Sequence, residues 1–171
     1  VWYGGGCTAA NIQAAAHGPQ AADAQAVLGI GGGKAIDTAK GAADLLGLPL
    51  VTVPTISATC AAVTALSVVY HEDGSFEGFR FYDRPPAHAL IDLELIAHAP
   101  AQYLRAGMGD ALAKHFEAAM SAQGDHPPYH STLGLAVSAS CKGPVLEYGL
   151  QALADCRAGQ ATPALEQVVL A

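Results

Sequence analysis

Read from the sequence, the fold class is α/β: part of a parallel sheet with its connecting helix, followed by the opening helices of an all-α part. Three observations predict it. Residues 26–30 and 50–53 are short apolar runs without polar alternation, as in strands covered on both faces. Between them residues 34–46 carry apolar side chains at helical spacing, which makes the three segments a strand-helix-strand crossover. Beyond Asp92 the strands stop, and Pro100 punctuates a succession of helical segments.

Taken in order, residues 1–3 form an apolar run that meets Gly4-Gly5-Gly6, and residues 9–22 have apolar helical faces, so the opening reads strand, turn, helix. The chain starts at Val1, without methionine and inside this strand-like run, which predicts further residues upstream. Gly31-Gly32-Gly33 turn the second strand into the helix over 34–46. There Ile36, Ala39, Ala43 and Leu46 share one face, Asp37, Lys40 and Asp44 lie elsewhere around the cylinder, and Gly47 stops the helix.

Pro54 ends the next strand, and a loop of small residues follows over 55–62. Residues 65–70 and 76–82, joined by a turn at Glu72-Asp73-Gly74-Ser75, predict a hairpin beside the parallel sheet, and residues 89–91 a last short strand. Helices are predicted over 101–105, 110–121 and 129–154, with an interhelical loop at Gly124-Asp125-His126-Pro127-Pro128. Thr162 caps one more helix, with Pro163 in its first turn; that helix is still running at Ala171, so continuation of the chain is expected.

A chain of 171 residues with 51% hydrophobic and 13% charged residues has ample material for a core and is far from a disordered composition. Its formal charge of -7, with only eight Lys and Arg, leaves no basic stripe for a nucleic acid backbone or an anionic membrane surface. Cys7, Cys60, Cys141 and Cys156 form neither a Cys-x-x-Cys pair nor a disulfide scaffold, which fits a reducing cytoplasm. There is no run of eighteen apolar residues and no leader-like opening, so a cytoplasmic location is expected.

The segment Gly29-Ile30-Gly31-Gly32-Gly33-Lys34-Ala35-Ile36-Asp37-Thr38-Ala39-Lys40 carries the strongest chemical signal. Glycines between a strand and a helix let backbone amides approach a phosphate, and the helix end supplies unpaired N–H groups and a favourable dipole. A plain tight turn is the competing reading of any glycine cluster; the flanking strand and helix favour the anion site. A P-loop is excluded, because Leu28 and Ala35 stand where it needs Gly and Ser or Thr. The common dinucleotide fingerprint also fails, with Lys34 in place of its last glycine and no acidic residue at the ribose position. Gly4-Gly5-Gly6 lacks the polar pattern and reads as a turn.

The glycine triplet with Lys34, Asp37 and Ala39-Lys40, followed by Val53-Pro54-Thr55-Ile56 and Gly107-Met108-Gly109-Asp110-Ala111-Leu112, resembles in order and spacing the iron- or zinc-containing alcohol dehydrogenases of the glycerol dehydrogenase-like group. The resemblance runs over nearly the whole chain, and members are considerably longer. It implies part of a dinucleotide-binding α/β domain over residues 1–99 and part of a helical metal and substrate domain over 100–171. It also implies NAD as cofactor, with NADP as the alternative, a Zn2+ ion, with Fe2+ as the alternative, and assembly into a homo-oligomer.

Carried over by position, the triplet Gly31, Gly32, Gly33 with Lys34 and Asp37 would contact the diphosphate, and Thr55, Thr64, Leu66 and Tyr70 the cofactor further along the cleft. Asp110 would be the carboxylate metal ligand, whose ion polarises the substrate oxygen; without the resemblance, an Asp at a helix start reads as an N-cap. The group's two histidine ligands would lie beyond Ala171, and one carboxylate does not hold zinc tightly. Lys114 stands four residues after Asp110, where other members of the superfamily have His, and would pair with it along the helix. His115 falls on another face, and His126 and His130 are separated by two prolines, so neither set reads as a metal site.

The resemblance also has departures. Cys60 stands at the substrate position where glycerol dehydrogenases carry Asp, and Ala58 replaces a Ser. With residues 55–62, 66–68 and 109–114 this points to the hydroxycarboxylate dehydrogenase branch, since losing a carboxylate removes repulsion against a 2-oxo or 2-hydroxy acid. The substrate implied is a secondary alcohol, a polyol or such an acid. Two rivals stand beside this reading: a dehydroquinate synthase-like enzyme, which would need more basic residues for a phosphate-bearing substrate, and a non-catalytic nucleotide-binding or oligomer-forming remnant.

Overall fold

The structure, a computed structural model, describes residues 1–123 and 129–171; the loop read at residues 124–128, with His126, lies outside the described residues. The chain divides into two compact units, one of Val1–Thr55 with Cys60–Asp92 and the other of Ile56–Thr59 with Leu93–Ala171.

The first unit contains α1 (Ala9–His17), β1 (Val27–Gly31), α2 (Gly33–Leu46), β2 (Leu50–Pro54), β3 (Leu66–Tyr70), β4 (Phe76–Phe81) and β5 (His88–Ala89). The Thr8 side chain caps α1 by accepting the Asn11 N–H, and Gly18-Pro19 end that helix, so it is shorter than the apolar pattern suggests. Residues 1–3 form no strand: Val1 and Trp2 are 84% and 76% exposed, and an apolar run without a partner gains nothing from extension.

β1, β2 and β5 make a parallel sheet in that order, with Val27 opposite Leu50 and Gly31 opposite Pro54. The crossover read from the sequence is present. Coverage of the sheet differs from the expectation, because α2 lies against the face carrying Gly29 while Leu28 and Ile30, on the other face, are 57% and 56% exposed. β3 and β4 pair antiparallel as predicted, from Leu66 opposite Phe81 to Tyr70 opposite Phe76, with a bulge at Val69 and Tyr70. At the hairpin tip the Asp73 carboxylate accepts both the N–H and the hydroxyl of Ser75.

α2 is buried on more sides than its apolar stripe predicts. Gly41 meets Ile12 of α1, β3 packs on a further side, and Asp37 and Lys40, away from the stripe, are buried as well.

The second unit contains α3 (Leu93–Ala97), α4 (Ala101–Ser121), α5 (Tyr129–Arg157) and α6 (Pro163–Val169). The two segments expected at 101–105 and 110–121 are one continuous helix. Gly107 does not break it, and it sits where a Cβ would run into the backbone carbonyl of Ser57, so close approach explains the glycine. α5 carries Pro144 in its interior. Ala97, Leu104, Ala152, Cys156, Leu165 and Val168 form the unit's core. Among the described residues no helix is long and apolar enough to cross a membrane.

Candidate functional site

The site begins where β1 becomes α2. Gly31 has φ +147, and a Cβ there would approach that of Ala35 to 2.7 Å, so the bend admits glycine alone without strain. Gly32 is the N-cap, no side chain caps the helix, and the first intrahelical bond runs from the Ile36 N–H to the Gly32 carbonyl. The N–H groups of Gly33, Lys34 and Ala35 therefore point out of the helix end, where the dipole also favours negative charge.

Around this bend the structure brings together most of the residues singled out in the first unit. The Thr55 N–H donates to the Gly31 carbonyl, fixing the start of the following loop at the bend. The Lys34 ammonium, on an exposed side chain, lies 5.2 Å from the centre of the Tyr70 ring. Thr64 and Leu66 meet at Lys40: its buried ammonium donates to Asp37 Oδ1 at 2.9 Å, Thr64 Oγ1 at 3.1 Å and the Leu66 carbonyl at 2.7 Å.

Asp37, which the resemblance carries over as a diphosphate contact, is buried; one of its carboxylate oxygens accepts from Lys40 and the other from the Val68 N–H, tying α2 to β3.

Sequence reasoning also missed Lys40, which it placed away from the apolar stripe. The available signal was a pair of opposite charges three residues apart on a helix with small residues at Thr38, Ala39, Gly41, Ala42 and Ala43 around them, where neighbouring elements can approach closely. Cys60, by contrast, is an exposed free thiol in a short 3-10 turn over Cys60–Ala62.

In the second unit Asp110 lies in the middle of α4, so it is no N-cap. Its carboxylate sits 3.3 Å from the Lys114 ammonium, which also binds Glu117 at 2.8 Å. These two carboxylates, the Glu117 hydrogen bond first, hold the Lys114 pKa above its usual value. Among the described residues no three His, Cys, Asp or Glu side chains gather as metal ligands, so Asp110 stands without further ligands among them. A cleft of about 540 Å³ near Asp44, Gly47, Tyr82 and Arg84, towards the C-terminal end of α2, holds none of the candidate residues.

Residues 2–93 match the family model described as iron-containing alcohol dehydrogenase. The chain belongs to that family. Over 98% of its length it is 42% identical to glycerol dehydrogenase of Thermotoga maritima, and over 99% it is 40% identical to hydroxycarboxylate dehydrogenase A of Escherichia coli K12, covering 47% of each protein. The solved structure of a probable glycerol dehydrogenase from Sinorhizobium meliloti 1021 superposes with a TM-score of 0.87 at 32% identity, over 98% of this chain and 48% of that one. The chain thus spans about half the length of the relatives it matches. Family membership accords with the glycine bend, which falls within the matched residues, while Asp110 lies outside them.

Proposed function

We propose that this chain carries the dinucleotide-binding half of a nicotinamide-dependent alcohol oxidoreductase of the iron-containing alcohol dehydrogenase family. The observation that carries the reading is the uncapped N-terminus of α2 behind the Gly31 bend, at the carboxyl end of a parallel strand. Three outward N–H groups, a helix dipole and the Lys34 ammonium together suit the diphosphate of NAD, or of NADP, better than any neutral ligand. Thr55, Thr64, Leu66 and Tyr70 would follow the cofactor towards its nicotinamide, with Cys60 near the substrate.

The reaction proposed for the whole protein moves a hydride between the C–H of a secondary alcohol, polyol or 2-hydroxy acid and the nicotinamide ring, the hydroxyl proton leaving separately. The names of the matched relatives support that substrate class. Asp110 would contribute one carboxylate to a metal, zinc or iron, but this chain's described residues do not complete such a site, and the Asp110–Lys114 pair stands in its place. A second reading starts from the Asp110–Lys114 ion pair itself: a chain that binds the nucleotide without turning over substrate.

Calorimetric titration with NAD+ tests the binding, and following nicotinamide absorbance with a panel of alcohols and 2-hydroxy acids separates the two readings. NAD+ should bind, and Lys34→Ala should weaken it about tenfold by removing a charge-assisted contact. No binding, or binding indifferent to Lys34→Ala, would remove the diphosphate site.

A further inference from the structure

Lys40 and Asp37 form a buried ion pair, with side chains 3% and 9% exposed, inside a unit whose other interior residues are mostly small and apolar. Withdrawing two charges from water costs more than their attraction commonly returns, so such a pair is poorly explained as a source of stability alone. Its geometry shows what else it does. An ammonium has three protons, and here each has its own acceptor: Asp37 on α2, Thr64 in the loop before β3, and the carbonyl of Leu66 at the start of β3.

The pair is itself held from the β3 side. The Val68 N–H donates to Asp37 Oδ2 at 3.0 Å, the Ser67 hydroxyl donates to the Asp37 carbonyl at 2.9 Å, and the Tyr82 hydroxyl donates to Ser67 Oγ at 2.9 Å. One connected network therefore fixes residues 64–68 relative to α2. Lys40 lies six residues from Lys34, roughly 9 Å along the helix from the proposed diphosphate grip.

We infer that Lys40 is a positioning residue for the nicotinamide end of the cofactor: its ammonium sets the distance between the diphosphate grip at the N-terminus of α2 and the contacts at Thr64 and Leu66. This rests on the dinucleotide reading above. It assigns Lys40 no contact with the cofactor, and it makes α2 a ruler with the diphosphate at one mark and the 64–66 segment at another. Loss of the ammonium leaves the glycine bend, Lys34 and the Gly31–Thr55 hydrogen bond in place, so the diphosphate grip survives while the 64–66 segment loses its anchor.

The test compares NAD+ with ADP-ribose, which keeps the diphosphate and lacks nicotinamide, by calorimetric titration of the unmodified chain, Lys40→Met, and the double variant Asp37→Asn with Lys40→Met. The double variant avoids stranding a buried carboxylate, and the side-chain amide oxygen introduced on α2 still accepts the Val68 N–H. ADP-ribose affinity should stay within about twofold, while the ratio of NAD+ to ADP-ribose affinity falls about tenfold. A parallel fall of both affinities, an unchanged ratio, or failure of both variants to fold would show that Lys40 only holds the unit together, and the inference would be wrong. If the unmodified chain binds neither ligand, the dinucleotide reading fails first, and that result is distinct from every variant outcome.

Discussion

At Cys7 burial outweighs every other influence on the thiol. The side chain is fully enclosed, and loss of hydration for a thiolate raises its pKa to about 11, although a hydrogen bond with Thr38 pulls the other way. Cys60 is exposed. At pH 8 an alkylating reagent should therefore label Cys60 and leave Cys7 untouched until the chain unfolds, as read by peptide mass spectrometry; labelling of Cys7 in the folded chain would contradict its enclosure. The same shift has a sign in stability. Between the ordinary thiol pKa of 9.0 and about 11 the folded state keeps a proton that the unfolded state releases, so Cys7 contributes stability fully below pH 9 and loses it as pH rises through that window. Urea unfolding across that range should show the decline.

Individual residues were legible in the sequence where local backbone demands decide identity. The Gly31 bend, the Gly47 stop and the Thr162 cap all follow from steric or hydrogen-bonding rules that act within a few residues. Asp37 and Lys40 were not legible, because their burial depends on β3, some thirty positions along the chain, folding back over α2.

Among the elements, α6 gives a sharp test of a cap that also does a second job. Thr162 Oγ1 accepts the Leu165 N–H at 3.2 Å and donates to the buried Asp155 carboxylate at 2.5 Å, which Gln151 approaches from the other side at 2.7 Å. Thr162→Ala removes the cap and takes a partner from a buried carboxylate, so it should cost about 2 kcal/mol in urea unfolding. Thr162→Ser should recover most of that, because the hydroxyl is what both neighbours use. Equal losses in the two variants would point to the methyl group instead.

Apolar runs placed β1 and β2, helical periodicity placed α2, and β-branched content with the turn at Glu72-Asp73-Gly74-Ser75 placed the β3–β4 hairpin. The reading failed at residues 1–3, which form no strand, and at residues 106–109, where two helical segments were expected and one continuous helix runs. Neither strand pairing nor the close approach of Ser57 to Gly107 leaves a local trace in the sequence.

For the whole molecule, the decisive facts are the division into two units and the match to relatives about twice as long. The order of apolar runs and helical segments pointed to a parallel-sheet part followed by helices, with the change of character near Asp92 and Pro100; the residues Ile56–Thr59 cluster with the helical unit by contacts that no run of sequence announces. The exposed face of β1 was likewise invisible, because an apolar strand reads the same whether one face or both are covered in the chain at hand.

The central claim is that the backbone amides behind Gly31 bind a dinucleotide's diphosphate. The most direct measurement follows the amide 1H–15N resonances of the chain while NAD+ is added. The largest shifts should fall on Gly32, Gly33, Lys34 and Ala35, with smaller ones at Thr55, Thr64, Leu66 and Tyr70. Saturable binding that leaves the four amides of residues 32–35 unmoved, or no binding at all, would contradict the account.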